Sequence, residues 1–157
     1  MTKGNDGTGD TPLRDEWRTP KWLVDSLKKQ YDIKVDCCAD EHNAIAPFWF
    51  SKLRPFENRI EFISDTAWMN PPFSLAFKMI STFFKVVKKG VMIYRCDNIE
   101  TNAWQLIANN ADWIFVFNRR IQYEGEEGKG ARFGSALAGK NIPPPTNLPG
   151  YILWCKK

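Results

Sequence analysis

The sequence predicts an α/β fold: one domain with a mostly parallel sheet, helices on both faces and an antiparallel terminal strand. Three observations carry this. Short apolar, β-rich runs alternate with helical patterns, the signature of parallel strands joined by crossover helices. The last two apolar runs have no helical pattern between them, which implies an antiparallel edge. One run, Thr66 to Met69, leads directly into Asn70-Pro71-Pro72-Phe73, a strand-to-turn junction of the kind where ligands gather in open α/β sheets.

Residues 1–14 are rich in Gly, Thr and Asp without periodicity and read as a disordered lead, which leaves residues 15–157 as the folded domain. Thr19-Pro20 suits a helix start, threonine as the cap and proline at the first helical position. Leu23, Val24, Leu27 and Tyr31 then recur at helical spacing, giving a helix to about Gln30. Ile33 to Cys38 predicts the first strand, and the mixed aromatic stretch Asn43 to Lys52 a short helix ending in loop. Arg59 to Ile63 predicts a second strand, and Thr66 to Met69 a third. Ser74 can cap the next helix, whose apolar face is Ala76, Ile80, Phe83, Phe84 and Val87 and whose stop is Gly90.

Val91 to Arg95 is a strand, Thr101 to Asn109 a helix with Trp104 and Ile107 inward, and Trp113 to Phe117 another strand. Ile121 to Tyr123 and Tyr151 to Cys155 are the predicted final pair, separated by a Gly- and Pro-rich loop from Gly125 to Gly150. A structureless loop beyond about 15 residues is usually functional or disordered.

Composition narrows the function. A chain of 157 residues with 43% apolar and 25% charged residues builds an ordinary core. A net charge of +4 permits a polyanionic partner. Lys78, Lys85, Lys88, Lys89 and Arg95 surround one helix and strand, while Arg119, Arg120, Lys129, Arg132 and Lys140 gather in the C-terminal third. Each group reads either as a solvated face or as a phosphate footprint. Cys37, Cys38, Cys96 and Cys155 form no CxxC pair, and His42 is the sole histidine, so neither a disulfide framework nor a histidine-rich metal site is indicated. No apolar run approaches the ~20 residues of a membrane span, and no signal peptide is evident, so a cytoplasmic location is expected.

The tetrapeptide at residues 70–73 carries the chemistry. An amino group on an aromatic base is a poor nucleophile because its lone pair is delocalised into the ring. Two acceptors on its two hydrogens would turn that pair out of the plane as charge develops. Asn70 can supply one through its side-chain oxygen and the Pro71 carbonyl the other. The prolines hold the turn stiff and remove competing N–H donors. Phe73 offers a face for an extruded base, returning ~1–3 kcal/mol against a flipping cost of a few. A plain turn also favours Asn and Pro, although two prolines at the exit of an apolar strand are uncommon there.

A cofactor in such a sheet lies at the carboxyl end of the first strand, here Asp36-Cys37-Cys38-Ala39-Asp40. Small side chains allow close approach, and Asp36 or Asp40 can accept bonds from an amine or ribose. Ordinary burial also explains the cysteines. Asp65 either contacts an adenine ring or caps a turn, and Thr19 is explained as a helix cap without any function.

Glu16-Trp17-Arg18-Thr19-Pro20, Asp36-Cys37-Cys38-Ala39, Asn43, Trp68 to Phe73 and Arg120-Ile121 together resemble the phage-encoded DNA N-6-adenine methyltransferase (Dam) family. The resemblance spans most of the chain from Asp15 onward, and Asn70 to Phe73 is its specific motif. It implies a Rossmann-like methyltransferase sheet, S-adenosylmethionine as cofactor and catalysis at Asn70, Pro71, Pro72 and Phe73. It also implies cofactor contacts at Trp17, Thr19, Pro20, Asp36, Cys37 and Ala39, with a Thr-Pro element holding the cofactor's carboxylate. No metal is required, since a sulfonium already activates the methyl group. The expected partner is double-stranded DNA with a flipped adenine, in the cytoplasm of a host cell.

The chain departs from the broader superfamily in lacking a glycine-rich turn after the first strand, and Phe73 stands where tyrosine is more frequent. Two alternatives remain open at the sequence level. One keeps the reaction with RNA or a protein glutamine as acceptor. The other is an inactive relative that binds nucleic acid or a partner.

Overall fold

Seven strands form one sheet among the described residues, 15–125 and 131–157 of the computed structural model. They are β1 (Val35–Asp36), β2 (Phe48–Trp49), β3 (Ala67–Met69), β4 (Gly90–Arg95), β5 (Trp113–Phe117), β6 (Ser135–Lys140) and β7 (Gly150–Cys155). Their spatial order is β2-β1-β3-β4-β6-β5-β7. The pairs β1–β2, β1–β3 and β3–β4 are parallel, whereas β6 is antiparallel to both β4 and β5, and β7 is antiparallel to β5. The expected mostly parallel sheet with an antiparallel terminal strand is therefore present. The expected lead at residues 1–14 and Lys129 lie outside the described residues.

Helices α1 (Lys21–Gln30), α2 (Ala76–Val86) and α3 (Asn102–Asn110) follow the predicted spacing closely. Period-two alternation in the strands splits the core between the two faces. Val91 and Ile93 of β4 pack with Leu23 and Leu27 of α1, and Met92 packs with Ile80 and Phe83 of α2 and Ile107 of α3. Helices thus cover both faces. No helix among the described residues is long and apolar enough to cross a membrane.

Several elements differ from expectation, each for a physical reason. β6 lies inside the stretch expected to be a loop, paired residue for residue with β4 from Gly90↔Lys140 to Arg95↔Ser135. Ser-Ala-Leu-Ala-Gly-Lys has little intrinsic strand preference, yet small residues are what the site demands. A Cβ on Gly139 would sit 2.1 Å from the Trp113 ring, so glycine makes room for that buried indole. Part of the stretch expected to be a short helix, Phe48–Trp49, instead forms β2, because the Phe48 and Phe50 N–H groups reach the Lys34 and Asp36 carbonyls. The predicted strand at Arg59–Ile63 reduces to a single bridge, Ile63↔Val87. The predicted strand at Ile121–Tyr123 is absent: both side chains are buried, but the backbone makes only the neighbouring bridge Arg18↔Glu124. Gly90 begins β4 instead of closing a helix, and a Cβ there would lie 2.5 Å from the Ala67 carbonyl oxygen.

Candidate functional site

Parallel strands run toward the same rim of a sheet. The carboxyl ends of β1, β3 and β4 therefore bring Asp36, Asn70 and Arg95 to one rim of the sheet. Beneath that rim opens a cavity of about 1350 Å³, lined among others by Trp17, Thr19, Asp36, Cys37, Ala39 and Asn70. Such a space accepts a ligand of nucleoside size with room to spare. Trp49, Phe50 and Phe56 add aromatic side chains to its lining.

Asp36 is buried at the end of β1, and both its oxygens hold backbone: Oδ1 accepts from the Cys38 N–H and Oδ2 from the Ile45 N–H, each at 3.1 Å. Burial raises its pKa to about 7, against the lowering pull of those two amides. A carboxylate held at that balance gains most from a cationic ligand group. Asp40 is spent on its own turn, accepting the His42 and Asn43 N–H groups at 2.7 and 3.0 Å. Burial pushes the Cys38 thiol up to about 12 and raises Cys37 as well, so neither offers a thiolate near neutrality. Both line the cavity, where their small side chains leave room.

A strap of residues 15–19 lies against the turn after β3. The Asp15 carboxylate accepts both the backbone N–H and the hydroxyl of Ser74. Arg18 exchanges two backbone bonds with Glu124, each 2.9 Å. Thr19 Oγ1 accepts from Asn70 Nδ2 at 3.1 Å. Two sequence expectations are corrected here. Thr19 does not cap α1, whose N-cap is Pro20 without any side-chain bond, and Ser74 does not cap α2, whose N-cap is Leu75. Both hydroxyls are used across the chain instead.

Asn70 is half-buried and lines the cavity, and its Oδ1 accepts no hydrogen bond among the described residues. Pro71 is buried beside it, outside the cavity lining. The Leu75 N–H takes the Pro72 carbonyl at 3.1 Å, and the Pro71 carbonyl accepts no backbone bond among the described residues. Phe73 is not among the residues lining the cavity and packs within an aromatic group. Its ring meets Trp17 edge-on at 6.1 Å and Phe133 at 5.6 Å, while Trp17 stacks on Tyr123 at 6.0 Å and Phe133 at 6.2 Å. Arg95, ion-paired with Asp97, lies over the Phe73 and Phe133 rings. Trp17 belongs to both the cavity and the ring group.

The remaining expected residues divide by position. Pro20 is buried as the N-cap of α1. Asp65 precedes β3 at its amino end, beside Lys34, on the opposite side of the sheet from the cavity. Asp65, expected either to contact an adenine ring or to cap a turn, is not among the residues lining the cavity. Arg119 and Arg120 follow β5, and Arg132 precedes β6, at the same rim as Asn70. All three are exposed, and Arg119 lies 5.5 Å over the Trp22 ring. Lys140 does not join them. It pairs with Gly90 at the opposite end of the sheet, where its ammonium donates to the Phe84 carbonyl at 2.7 Å.

Sequence reasoning missed Tyr123 and Phe133 as site residues, the pairing of Arg95 with Asp97 over the rings, and the Asp15–Ser74 clamp. Phe133 and Leu137 face the α1 side while Ala136 and Ala138 face the other. That large-and-small alternation was the available signal for β6. The clamp has no local signal, since 59 residues separate its partners.

No curated protein matches this sequence. Among solved structures, a protein from Pyrococcus horikoshii assigned provisionally as an RNA methyltransferase shares the fold. It aligns with TM-score 0.52 at 11% identity, over 86% of this chain and 90% of that one. The sequence matches the family described as DNA N-6-adenine-methyltransferase (Dam) over residues 7–139. With its methyltransferase-like sheet and its Asn-Pro-Pro-Phe turn at the rim, the chain belongs to the DNA N-6-adenine-methyltransferase (Dam) family.

Proposed function

We propose that this enzyme transfers a methyl group from S-adenosylmethionine to the N6 amino group of an adenine flipped out of duplex DNA. The observation that carries the reading is the state of Asn70: it lines the cavity at the end of β3, its Nδ2 is held by Thr19, and its Oδ1 is left open as an acceptor. Asn70 Oδ1 and the Pro71 carbonyl accept the two amino hydrogens, which turns the lone pair toward the donor and stabilises the charge that develops. Phe73, packed by Trp17, Phe133 and Arg95, supplies the stacking face.

The cavity fits the cofactor chemically. Its ammonium and sulfonium suit the buried Asp36 carboxylate, Ala39 and Cys37 permit close approach, and Phe50 and Phe56 offer a wall for its adenine. When bound, the cofactor supplies an electrophilic methyl group. The exposed Arg119, Arg120 and Arg132 share the rim of the site and would meet phosphates.

Incubation with methyl-labelled cofactor, followed by separation of duplex DNA, RNA and protein acceptors, tests the reading. Label is expected in duplex DNA at adenine N6. Label confined to RNA or protein would replace the substrate, and absence of transfer to all three would refute the assignment. Asn70→Ala should bind cofactor with near-normal affinity by calorimetry and lose at least about 100-fold in transfer rate.

A further inference from the structure

We infer that Thr19 is a positioning residue for methyl transfer, orienting the Asn70 carboxamide so that its oxygen, not its nitrogen, faces the reacting amino group. The inference rests on the role proposed above for Asn70. A carboxamide is nearly symmetric in shape but opposite in polarity at its two ends. Turned over, Asn70 would present an N–H donor to an amino group that is itself a donor, and the acceptor geometry would be lost.

The fold holds the carboxamide through a single bond, which fixes its orientation once the Thr19 hydroxyl donates its own proton elsewhere and can only accept from Asn70. Asn70 Nδ2 donates to Thr19 Oγ1 at 3.1 Å in partly buried surroundings, and Asn70 makes no other side-chain bond among the described residues. The threonine oxygen is itself firmly placed. Pro20 next to it is buried as the N-cap of α1, and Arg18 before it exchanges two backbone bonds with Glu124. Further along, Asp15 grips Ser74 on the far side of the Asn-Pro-Pro-Phe turn. The strap and the turn are therefore fastened at both ends, and the Thr19–Asn70 bond is the fastening that touches the acceptor. Once its oxygen has accepted from Asn70, the Thr19 hydroxyl still has its proton to donate into the cavity. Occupancy of the cofactor site and orientation of the acceptor would then meet at one atom.

The test compares Thr19→Val, which keeps shape and removes the hydroxyl, with Thr19→Ser, which keeps the hydroxyl. Single-turnover transfer is read on adenine-containing duplex DNA at saturating cofactor, and melting temperature and calorimetric cofactor affinity are measured alongside. Thr19→Val is expected to lower the transfer rate about 10- to 100-fold at saturating cofactor, with Thr19→Ser recovering most of that loss. Adding Thr19→Val to Asn70→Ala should cost nothing more, because the two act through one oxygen.

A Thr19→Val enzyme with wild-type rate at saturating cofactor, or a loss that adds in full to that of Asn70→Ala, overturns the inference. So does a Thr19→Ser enzyme as slow as Thr19→Val. If Thr19→Val does not fold, Thr19→Ala against Thr19→Ser decides by the same criteria. A wild-type rate in Asn70→Ala would instead remove the acceptor role itself, a failure distinct from one confined to Thr19.

Discussion

The guanidinium of Arg95 lies 4.7 Å above the ring of Phe133. It is held there by Asp97 and also covers Phe73 at 5.6 Å. A cation over an aromatic face gains about 0.5–2 kcal/mol depending on desolvation, and here it braces the ring proposed to stack on the base. Strand β4 therefore supports a site whose motif belongs to β3.

From that relationship, Phe73→Ala is expected to lose stacking worth ~1–3 kcal/mol, lowering transfer about 5- to 150-fold with cofactor affinity unchanged. Single-turnover rates check this. Part of the loss should return on a duplex whose target adenine is mismatched, because an unpaired base costs less to extrude.

Asp36 predicts a pH dependence with a definite sign. Burial raises its pKa from 3.8 to about 7, so between those values the folded, ligand-free protein holds more protons than the unfolded chain. Its contribution is then fully present below pH 4 and is lost as pH rises through 7. Urea denaturation at pH 5 and pH 8 of wild type and Asp36→Asn isolates this from other carboxylates: the wild type should lose relative stability toward pH 8. Cofactor affinity should move the opposite way, strengthening as Asp36 ionises.

The basic residues at the rim and the one at the far end of the sheet should behave differently. Replacing Arg119, Arg120 and Arg132 by Gln should weaken duplex binding at all sequences and reduce the salt slope by about 0.9 for each phosphate no longer neutralised. Lys140→Gln should leave that slope unchanged, since its ammonium serves the Phe84 carbonyl. Fluorescence titrations at several salt concentrations distinguish the two outcomes.

Gly139→Ala should destabilise the fold. A methyl group would meet Trp113 at 2.1 Å in a fully packed layer, and overpacking of that kind costs about 1–3 kcal/mol. Equilibrium denaturation reads the loss directly. A variant as stable as wild type would show that Trp113 can move aside.

Helices α1, α2 and α3 were legible because their apolar residues recur at helical spacing, a property of neighbouring residues. β6 was not, because Ser135 to Lys140 owe their strand to pairing with β4 and β5 on either side. The candidate site divides the same way. Asn70 to Phe73 announces itself as a rare tetrapeptide, while Tyr123 and Phe133 join it only through the closing of the sheet.

By itself the sequence determined the α/β class, the three helices, the strand into Asn70 and the residue types available for methyl-transfer chemistry. Each depends on spacing of a few residues and on intrinsic backbone preference. The tertiary structure decided what those residues do. Thr19 satisfies the local rule for a helix cap, yet its hydroxyl accepts from Asn70, 51 residues away. A cap is judged from the next turn of chain, whereas a partly buried carboxamide must find its partner wherever the fold brings one.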